Sequence, residues 1–239
     1  MGNTVIAISM SALIALCTCG CMTTQAQDGP QPTLDDYRRG HPVLVMQVQD
    51  WDKRFVPTES TRTFDIINGT DEGKTVEVTV SSSSDDRWSI SYEGRSAFDW
   101  SLSEAGIICT STRDVASGTT STFTPPLAVV PRDLKPDVPY TAEGKIMVTS
   151  TATPSSKIAS GTWTVSITHD ADVTLELGGT NYECTRLRTK YDADLGLATV
   201  TRTAYDYYAP DAGWVARVFT QDVVKVIIPE KTNGTWVLK

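Results

Sequence analysis

Residues 178–214, GGTNYECTRLRTKYDADLGLATVTRTAYDYYAPDAGW, decide the fold of this chain. The stretch begins at a double glycine and contains two β-patterned runs, which the turn-forming residues DADLG at 192–196 separate. The first run carries Tyr182, Cys184 and Leu187, and the second covers residues 197–208. Because Gly and Asp favour turns and alternation favours strands, we expect the two runs to pair as an antiparallel hairpin.

Strand patterns also dominate the sequence before this stretch. Val76, Val78 and Val80 alternate with polar residues, which indicates one dry and one wet face. Similar short runs recur about every 10–12 residues as far as residue 120, without a helical period. The sequence predicts a mostly β fold: antiparallel strands forming a curved sheet, half-barrel or sandwich, with one short N-terminal helix.

Smaller signals refine this arrangement. Thr33 as N-cap, early acids, late bases and a closing Gly40 predict that the short helix covers residues 33–40. The Asn-Gly pairs at 68–69 and 233–234 predict turns, the first within a hairpin of residues 62–67 and 74–80. The apolar run at 223–228 predicts a buried strand.

The chain divides into four predicted segments: a signal segment at 1–21, a polar tether at 22–32, an N-terminal β half at 33–124 and a C-terminal β half at 125–239. The tether is polar and contains Gly and Pro without an apolar period. The proline-bounded segment 125–131, PPLAVVP, predicts the joint between the two halves, because proline fixes φ and removes a ladder donor.

The composition excludes some partners. The net charge is −8 at pH 7 and the pI is about 4.8. Nucleic-acid binding requires a basic surface that releases counterions, so nucleic acid is not an expected partner. With 40% apolar and 21% charged residues, the chain can form a core.

The beginning of the chain predicts export and lipidation. The apolar run VIAISMSALIAL at 5–16 is too short to remain as a membrane span and has the length of a signal-peptide core. The cysteines that follow it resemble the lipobox of bacterial lipoproteins, and Cys21, preceded by Gly20, is the favoured acylation site over Cys17 and Cys19. Plain secretion and a metal clip are the alternatives, although tetrahedral zinc usually needs a second ligand pair.

The resemblance to lipoproteins implies a partner and a location. The partner is the membrane, reached through an N-terminal acyl anchor. Because no candidate cysteine is followed by Asp, lipoprotein sorting implies the outer membrane of the bacterial cell envelope, facing the periplasm. A soluble periplasmic or secreted protein is the alternative.

Residue motifs for catalysis are missing from the sequence. His41 and His169 are the two histidines, and neither lies in the spacing of a nucleophile elbow or a metal site, so both are expected at the surface. The acidic pairs lie at predicted turns, where Asp bonds nearby backbone amides. We therefore expect no enzyme activity, no catalytic residue, no metal and no cofactor.

Two groups of residues outside the signal segment are candidates for a structural or binding role. Cys109 and Cys184 form an even pair in an oxidising compartment, which predicts a disulfide; two separate buried thiols are the alternative. The aromatic residues near the closure of the opening stretch predict a ligand groove, with core packing as the alternative. These candidate groove residues are Tyr205, Tyr207, Tyr208 and Trp214.

Three segments together resemble bacterial envelope proteins of the DUF3108 type. They are PPLAVVPRDLKP at 125–136, LELGGTNYECTRLRT at 175–189 and AYDYYAPDAGWVARV at 204–218. Tyr208 and Trp214 depart from that pattern, which usually has Trp and an aliphatic residue at these places. The resemblance covers residues 125–222 and implies an antiparallel sheet, curved as in lipoprotein-carrier folds, without catalytic residues.

The sequence thus leaves two functions open. The first is a non-enzymatic, lipid-anchored envelope protein that acts as a structural or assembly module and binds another envelope protein. The alternative is a periplasmic carrier that binds a lipid or other apolar ligand in its curved β-sheet.

Overall fold

In a computed structural model of the protein, the structure describes residues 51–225 and 228–239. These residues form one short helix and twelve strands. Their bounds are α1 Trp51–Phe55, β1 Ser60–Gly69, β2 Thr75–Ser84, β3 Arg87–Tyr92, β4 Ser96–Ser103, β5 Gly106–Asp114, β6 Thr119–Pro131, β7 Tyr140–Ser150, β8 Lys157–Leu177, β9 Thr180–Asp194, β10 Ala198–Ala209, β11 Gly213–Lys225 and β12 Ile228–Leu238. A helix long and apolar enough to cross a membrane is not present in the described part of the chain.

The strands form a closed barrel in which every strand is antiparallel to its neighbours. Consecutive strands pair along the chain, and β1 closes the barrel by pairing with β12, as in Phe64 opposite Leu238. The prediction of a mostly antiparallel β fold is therefore confirmed, and the described residues contain one short helix, α1, which is not the helix predicted at 33–40. In place of the predicted curved sheet, half-barrel or sandwich, the strands form a closed barrel. The first and last strands pair with each other, which satisfies the backbone groups of both sheet edges.

Two predicted hairpins are confirmed. β9 pairs with β10, for example Tyr191 with Arg202, and β1 pairs with β2, for example Phe64 with Val76. The double glycine before β9 forms the predicted turn, with φ of 55° at Gly178 and 79° at Gly179, values that favour glycine.

The predictions for the C-terminal part need correction. The run 223–228 is not one buried strand: β11 ends at Lys225, which pairs with Ile228 at the start of β12. The Asn-Gly pair at 233–234 does not form a turn but lies inside β12. Gly234 is opposite Phe219, and a Cβ atom there would lie 2.7 Å from the Phe219 ring. The glycine is explained by this close ring contact.

Several predicted features lie outside the described residues. They are the signal segment with Cys17, Cys19 and Cys21, the tether, the predicted helix at 33–40, and His41. The division into two β halves stays a prediction; strand β6 runs through its boundary at 124/125, and strands from both sides form the barrel.

Aromatic side chains fill one side of the barrel interior. Trp214 stacks on Phe64 with ring centroids 4.5 Å apart, and Trp236 lies 6.2 Å from Trp214. Tyr92 contacts both tryptophans edge-on, at 6.0 and 5.6 Å. This cluster fixes β1, β3, β11 and β12 around a packed centre.

The β8–β9 hairpin extends beyond the barrel and covers part of its outer face. The far ends of both strands, 173–177 and 180–184, pair only with each other. Leu175, fully buried, lies in a cluster with Tyr207, Ala216 and Val218, which face away from the barrel interior. We call residues 173–184 the outer ribbon. It forms a second hydrophobic core outside the barrel wall.

A β-bulge at His169–Ala171 lies where the outer ribbon leaves the barrel. Nε2 of His169 lies 3.0 Å from Oδ1 of Asp172, which also accepts a hydrogen bond from the Thr185 hydroxyl at 2.9 Å, and Arg186 pairs with Asp170. His169 is 6% exposed. The prediction that it is a surface residue is wrong: its side chain is buried at the bulge, against Asp172.

Helix α1 closes one end of the barrel. Trp51 and Phe55 pack with Ile107, Leu187 and Tyr208, which come from β5, β9 and β10. Because β5 and β9 are not neighbours in the barrel, a helix that contacts both crosses its end.

Candidate functional site

A cavity of about 100 Å³ lies inside the barrel, between β3–β6 on one wall and β8–β11 on the other. Most of its lining is apolar. The lining residues are Tyr92, Phe98, Trp100, Cys109, Thr112, Ser121, Phe123, Leu127, Ala128, Val129, Val165, Leu187, Thr189, Tyr191, Arg202, Ala204, Asp206, Tyr208 and Arg217. A mostly apolar cavity with a few convergent polar groups is the usual form of a ligand site.

A buried ion pair lies at one side of the cavity. Asp206 and Arg217 are direct partners across β10 and β11, and both are under a tenth exposed. Oδ1 of Asp206 accepts hydrogen bonds from Nε of Arg217 and, at 3.1 Å, from Nε1 of Trp214. Burial alone would lower the pKa of the Arg217 guanidinium, but the neighbouring Asp206 carboxylate outweighs it, and the pKa is raised. The Arg217 guanidinium is therefore charged at neutral pH.

Two hydroxyl groups in the cavity wall lack a partner. The Tyr191 hydroxyl and Oγ of Ser121 are buried and have no hydrogen-bond partner among the residues that the structure describes. Tyr191 is 4% exposed, Ser121 is 1% exposed, and both line the cavity. Leaving a buried hydroxyl without a partner costs about 1–3 kcal/mol, so each points to a bound water or ligand group.

Burial keeps the cavity's hydroxyl and thiol groups protonated. It raises the pKa of Tyr191, of Tyr208 and of Cys109, because each ionised form would lose its hydration. At neutral pH, all three groups are neutral. They can donate hydrogen bonds but are poor bases and nucleophiles.

Helix α1 covers the cavity at the end of the barrel. The Phe55 ring contacts Tyr208, a lining residue, edge-on at 5.2 Å. The helix is held by hydrogen bonds from Arg54 to the carbonyl oxygens of Glu183 and Tyr208, at 3.0 and 3.2 Å, and by an Arg132–Asp52 ion pair at 3.2 Å. One end of the cavity is thus shielded from solvent.

The structure separates the residues of the predicted aromatic groove. Tyr208 lines the cavity, and Trp214 belongs to the interior aromatic cluster. Tyr205 and Tyr207 face outward and pack with the outer ribbon. Alternation along β10, together with a bulge between Tyr207 and Tyr208, places the four rings on two faces, so they do not form one groove.

Cys109 and Cys184 are free thiols in the structure. Cys109 lines the cavity, whereas Cys184 belongs to the second core under the outer ribbon. The barrel wall separates the two clusters, which is the arrangement of two separate buried thiols rather than of a disulfide.

We expect both thiols to resist alkylation in the folded protein and to react after unfolding without a reductant. Burial raises the pKa of Cys184 to about 12 and that of Cys109 further, so little thiolate forms at pH 8. Peptide mass spectrometry after iodoacetamide treatment, with and without denaturant, measures both sites. A pair that stays unalkylated in denaturant until a reductant is added would instead establish the disulfide.

Sequence reasoning missed Tyr191, Arg202, Asp206 and Arg217, because charged residues on an alternating strand resemble a solvent-exposed face. One signal was available. A turn at 210–213 places Asp206 opposite Arg217 and so predicts an opposite-charge pair. The sequence does not indicate that the pair points into a barrel.

Metal chemistry is not indicated by the described part of the chain. Residues 51–225 and 228–239 contain no group of three or more His, Cys, Asp or Glu side chains that could hold a metal ion. Asp192 and Asp194, one of the acidic pairs expected at turns, lie instead on the exposed face of β9.

We compared the chain with known protein families, curated proteins and solved structures. No protein-family model matches the chain, and no curated protein matches it. A similar solved structure is that of the hypothetical lipoprotein YmcC from Escherichia coli (K12), with 11% sequence identity and a TM-score of 0.39 over 77% of this chain and 92% of that chain. A similarity at this level does not establish a shared function, and the resemblance to the DUF3108 type stays a prediction.

Proposed function

We propose that this protein is a lipid-anchored protein of the bacterial cell envelope whose barrel binds a small molecule in its interior cavity. The unpartnered hydroxyl groups of Tyr191 and Ser121 in an otherwise apolar cavity carry this proposal. Ligand groups that bond to both would remove the cost of their burial.

The size of the cavity argues for a small ligand rather than for the lipid of the carrier hypothesis. Sites for drug-sized molecules measure about 300–1,000 Å³, several times the volume of about 100 Å³ in this barrel. Much of the remaining interior is filled, as by Trp163, Phe64 and Trp236, each under a tenth exposed. A carrier for an acyl chain would need this packed core to open.

The structural or assembly module stays the second candidate, with one restriction. Within the barrel wall each strand pairs on both sides, so a partner could add a strand only to the outer ribbon, whose two strand segments pair only with each other. An assembly partner would otherwise have to bind the outer surface of the barrel or its loops.

The proposal is of a binding protein and not of an enzyme. The protonated state of Tyr191, Tyr208 and Cys109 suits hydrogen bonding rather than proton transfer or nucleophilic attack. The anchor rests on the lipobox-like sequence at Cys21 and on the polar tether that follows it.

Mass spectrometry of protein purified from native membranes tests the proposal. We expect fatty acyl mass on the peptide that begins at Cys21, and a small molecule that leaves the folded protein only on denaturation. Ala204→Leu, which adds bulk at a lining position that is 3% exposed, is expected to remove the small molecule and keep the acyl mass.

Ala152→Leu, an exposed substitution in the β7–β8 turn, is the matched control and should change neither mass. An unmodified Cys21 peptide would overturn the anchor. Retention of the small molecule by folded Ala204→Leu would show that it binds elsewhere.

A further inference from the structure

The volume of the cavity corresponds to a ligand of one ring. Engineered cavities of about 150 Å³ lined by Leu, Ile and Phe bind benzene, and the cavity in this barrel has a volume of about 100 Å³. Leu127 and Val129 in its wall are only partly buried, so their side chains can shift to admit a ring. A fused-ring compound would displace core residues.

The rings in the lining favour an aromatic body. Phe98, Trp100 and Phe123 lie on the β4–β6 wall, and Tyr92 lies beside them on β3. Aromatic rings in offset or edge-on contact stabilise each other beyond their buried area. A planar ring between this wall and the aliphatic side chains Val165 and Leu187 would contact aromatic faces on one side.

The polar groups favour an oxygen acceptor on that ring. The Tyr191 hydroxyl stays protonated because burial raises its pKa, and the Ser121 hydroxyl can donate as well. Tyr191 is the direct cross-strand neighbour of Arg202, whose guanidinium can only donate hydrogen bonds. The complementary group accepts hydrogen bonds from several directions, as a carboxylate does.

The guanidinium groups in the lining favour an anionic acceptor group on the ligand. Among the described lining residues, two guanidinium groups, Arg202 and Arg217, accompany one carboxylate, Asp206. Asp206 bonds directly to Arg217, and the guanidinium of Arg202 lies 5.4 Å from the centre of the Phe219 ring. A carboxylate placed near these guanidinium groups would accept charge-assisted hydrogen bonds from them.

We propose that the cavity binds a single-ring aromatic carboxylate, with its carboxylate toward Tyr191, Arg202 and Ser121 and its ring toward Phe98 and Phe123. This inference rests on the proposed function as a small-molecule-binding barrel and names the ligand class of the same cavity.

Calorimetric titration of the intact purified protein at pH 7 tests the ligand class with four probes: benzoate, benzyl alcohol, toluene and acetate. We expect benzoate to bind at least about tenfold more tightly than benzyl alcohol or toluene, because only benzoate presents a charged acceptor. Acetate, which lacks the ring, should bind at least about tenfold more weakly than benzoate.

The variant Tyr191→Phe keeps the ring volume and removes the donor. It should weaken benzoate binding about tenfold and leave toluene binding unchanged. Tyr205→Phe, which removes a hydroxyl on the outer face, is the matched control and should leave both affinities unchanged. Circular dichroism of each variant establishes that it is folded.

The outcomes separate the ligand class from the proposed function. Equal binding of toluene and benzoate, or no effect of Tyr191→Phe on benzoate, overturns the aromatic carboxylate. Failure of every probe, with a different molecule released from native protein, overturns the class and keeps the small-molecule barrel. Failure of every probe, with nothing released from native protein, overturns both.

Discussion

Replacing Asp206 with alanine is expected to lower the free energy of unfolding by about 3–5 kcal/mol. The substitution leaves the Arg217 guanidinium buried without its carboxylate, and it removes the acceptor of the Trp214 indole. A buried charge that loses its partner keeps its full desolvation cost, which is why the expected effect is large. Urea denaturation at pH 7, followed by tryptophan fluorescence, measures it.

Two further variants separate burial from charge. Asp222 and Lys231 also face each other across strands, but their atoms are 4.0 Å apart and both side chains are more than half exposed. Asp222→Ala should therefore cost less than about 1 kcal/mol. The double variant Asp206→Leu/Arg217→Met removes both charges and should recover most of the lost stability. An Asp206→Ala protein as stable as Asp222→Ala would mean that the Asp206–Arg217 pair is solvated.

Leu175→Ala is expected to cost about 2–5 kcal/mol, the range for buried leucines. Leu175 is fully buried in the outer ribbon, against residues on the outward face of β10 and β11. Because the ribbon pairs only with itself beyond the barrel wall, side-chain packing holds it in place. We expect the loss to appear first as faster amide exchange in residues 173–184 and then in global unfolding.

Amide hydrogen exchange and urea denaturation together measure this loss. Val138→Ala is the control, since Val138 is 55% exposed and its substitution should change stability by less than about 0.5 kcal/mol. Unchanged exchange in the ribbon of Leu175→Ala would show that hydrophobic packing does not hold the ribbon.

The sequence predicts the strands of this protein well, because alternation and turn chemistry are local. The β9–β10 hairpin follows from the residues DADLG and from the alternation on either side of them. Closure is not local: the pairing of β1 with β12 depends on the lengths and twist of all the strands between them. A half-barrel and a closed barrel therefore share one local pattern.

Glycine shows how one residue type has two physical roles. Gly178 and Gly179 adopt positive φ in a turn, as the sequence predicts. Gly234 lies in a strand because the Phe219 ring occupies the space of a side chain, and this reason lies in another strand. Turn chemistry alone therefore places a turn at residues 233–234 where the protein has none.

The residues of the candidate site could not be predicted from the sequence, for a related reason. Arg202 and Asp206 alternate with Thr203 and Tyr205, and either set could face water. The outer ribbon determines which set faces the barrel interior. It covers the face of β10 that carries Tyr205 and Tyr207, so the opposite face points into the barrel. The ribbon is formed by the long ends of β8 and β9, and the sequence of β10 does not indicate how long those two strands are.

The pairing of β1 with β12 also sets an order of events in biogenesis. β1 forms one of its two strand partnerships with β12, so the barrel stays open until β12 has left the ribosome and, in an exported protein, the translocation channel. Bringing such distant segments together is slow, because the loop between them loses entropy before contacts form. During that interval the edges of β1 and β11 are open, and chaperones that recognise unpaired strands would have their main opportunity to act.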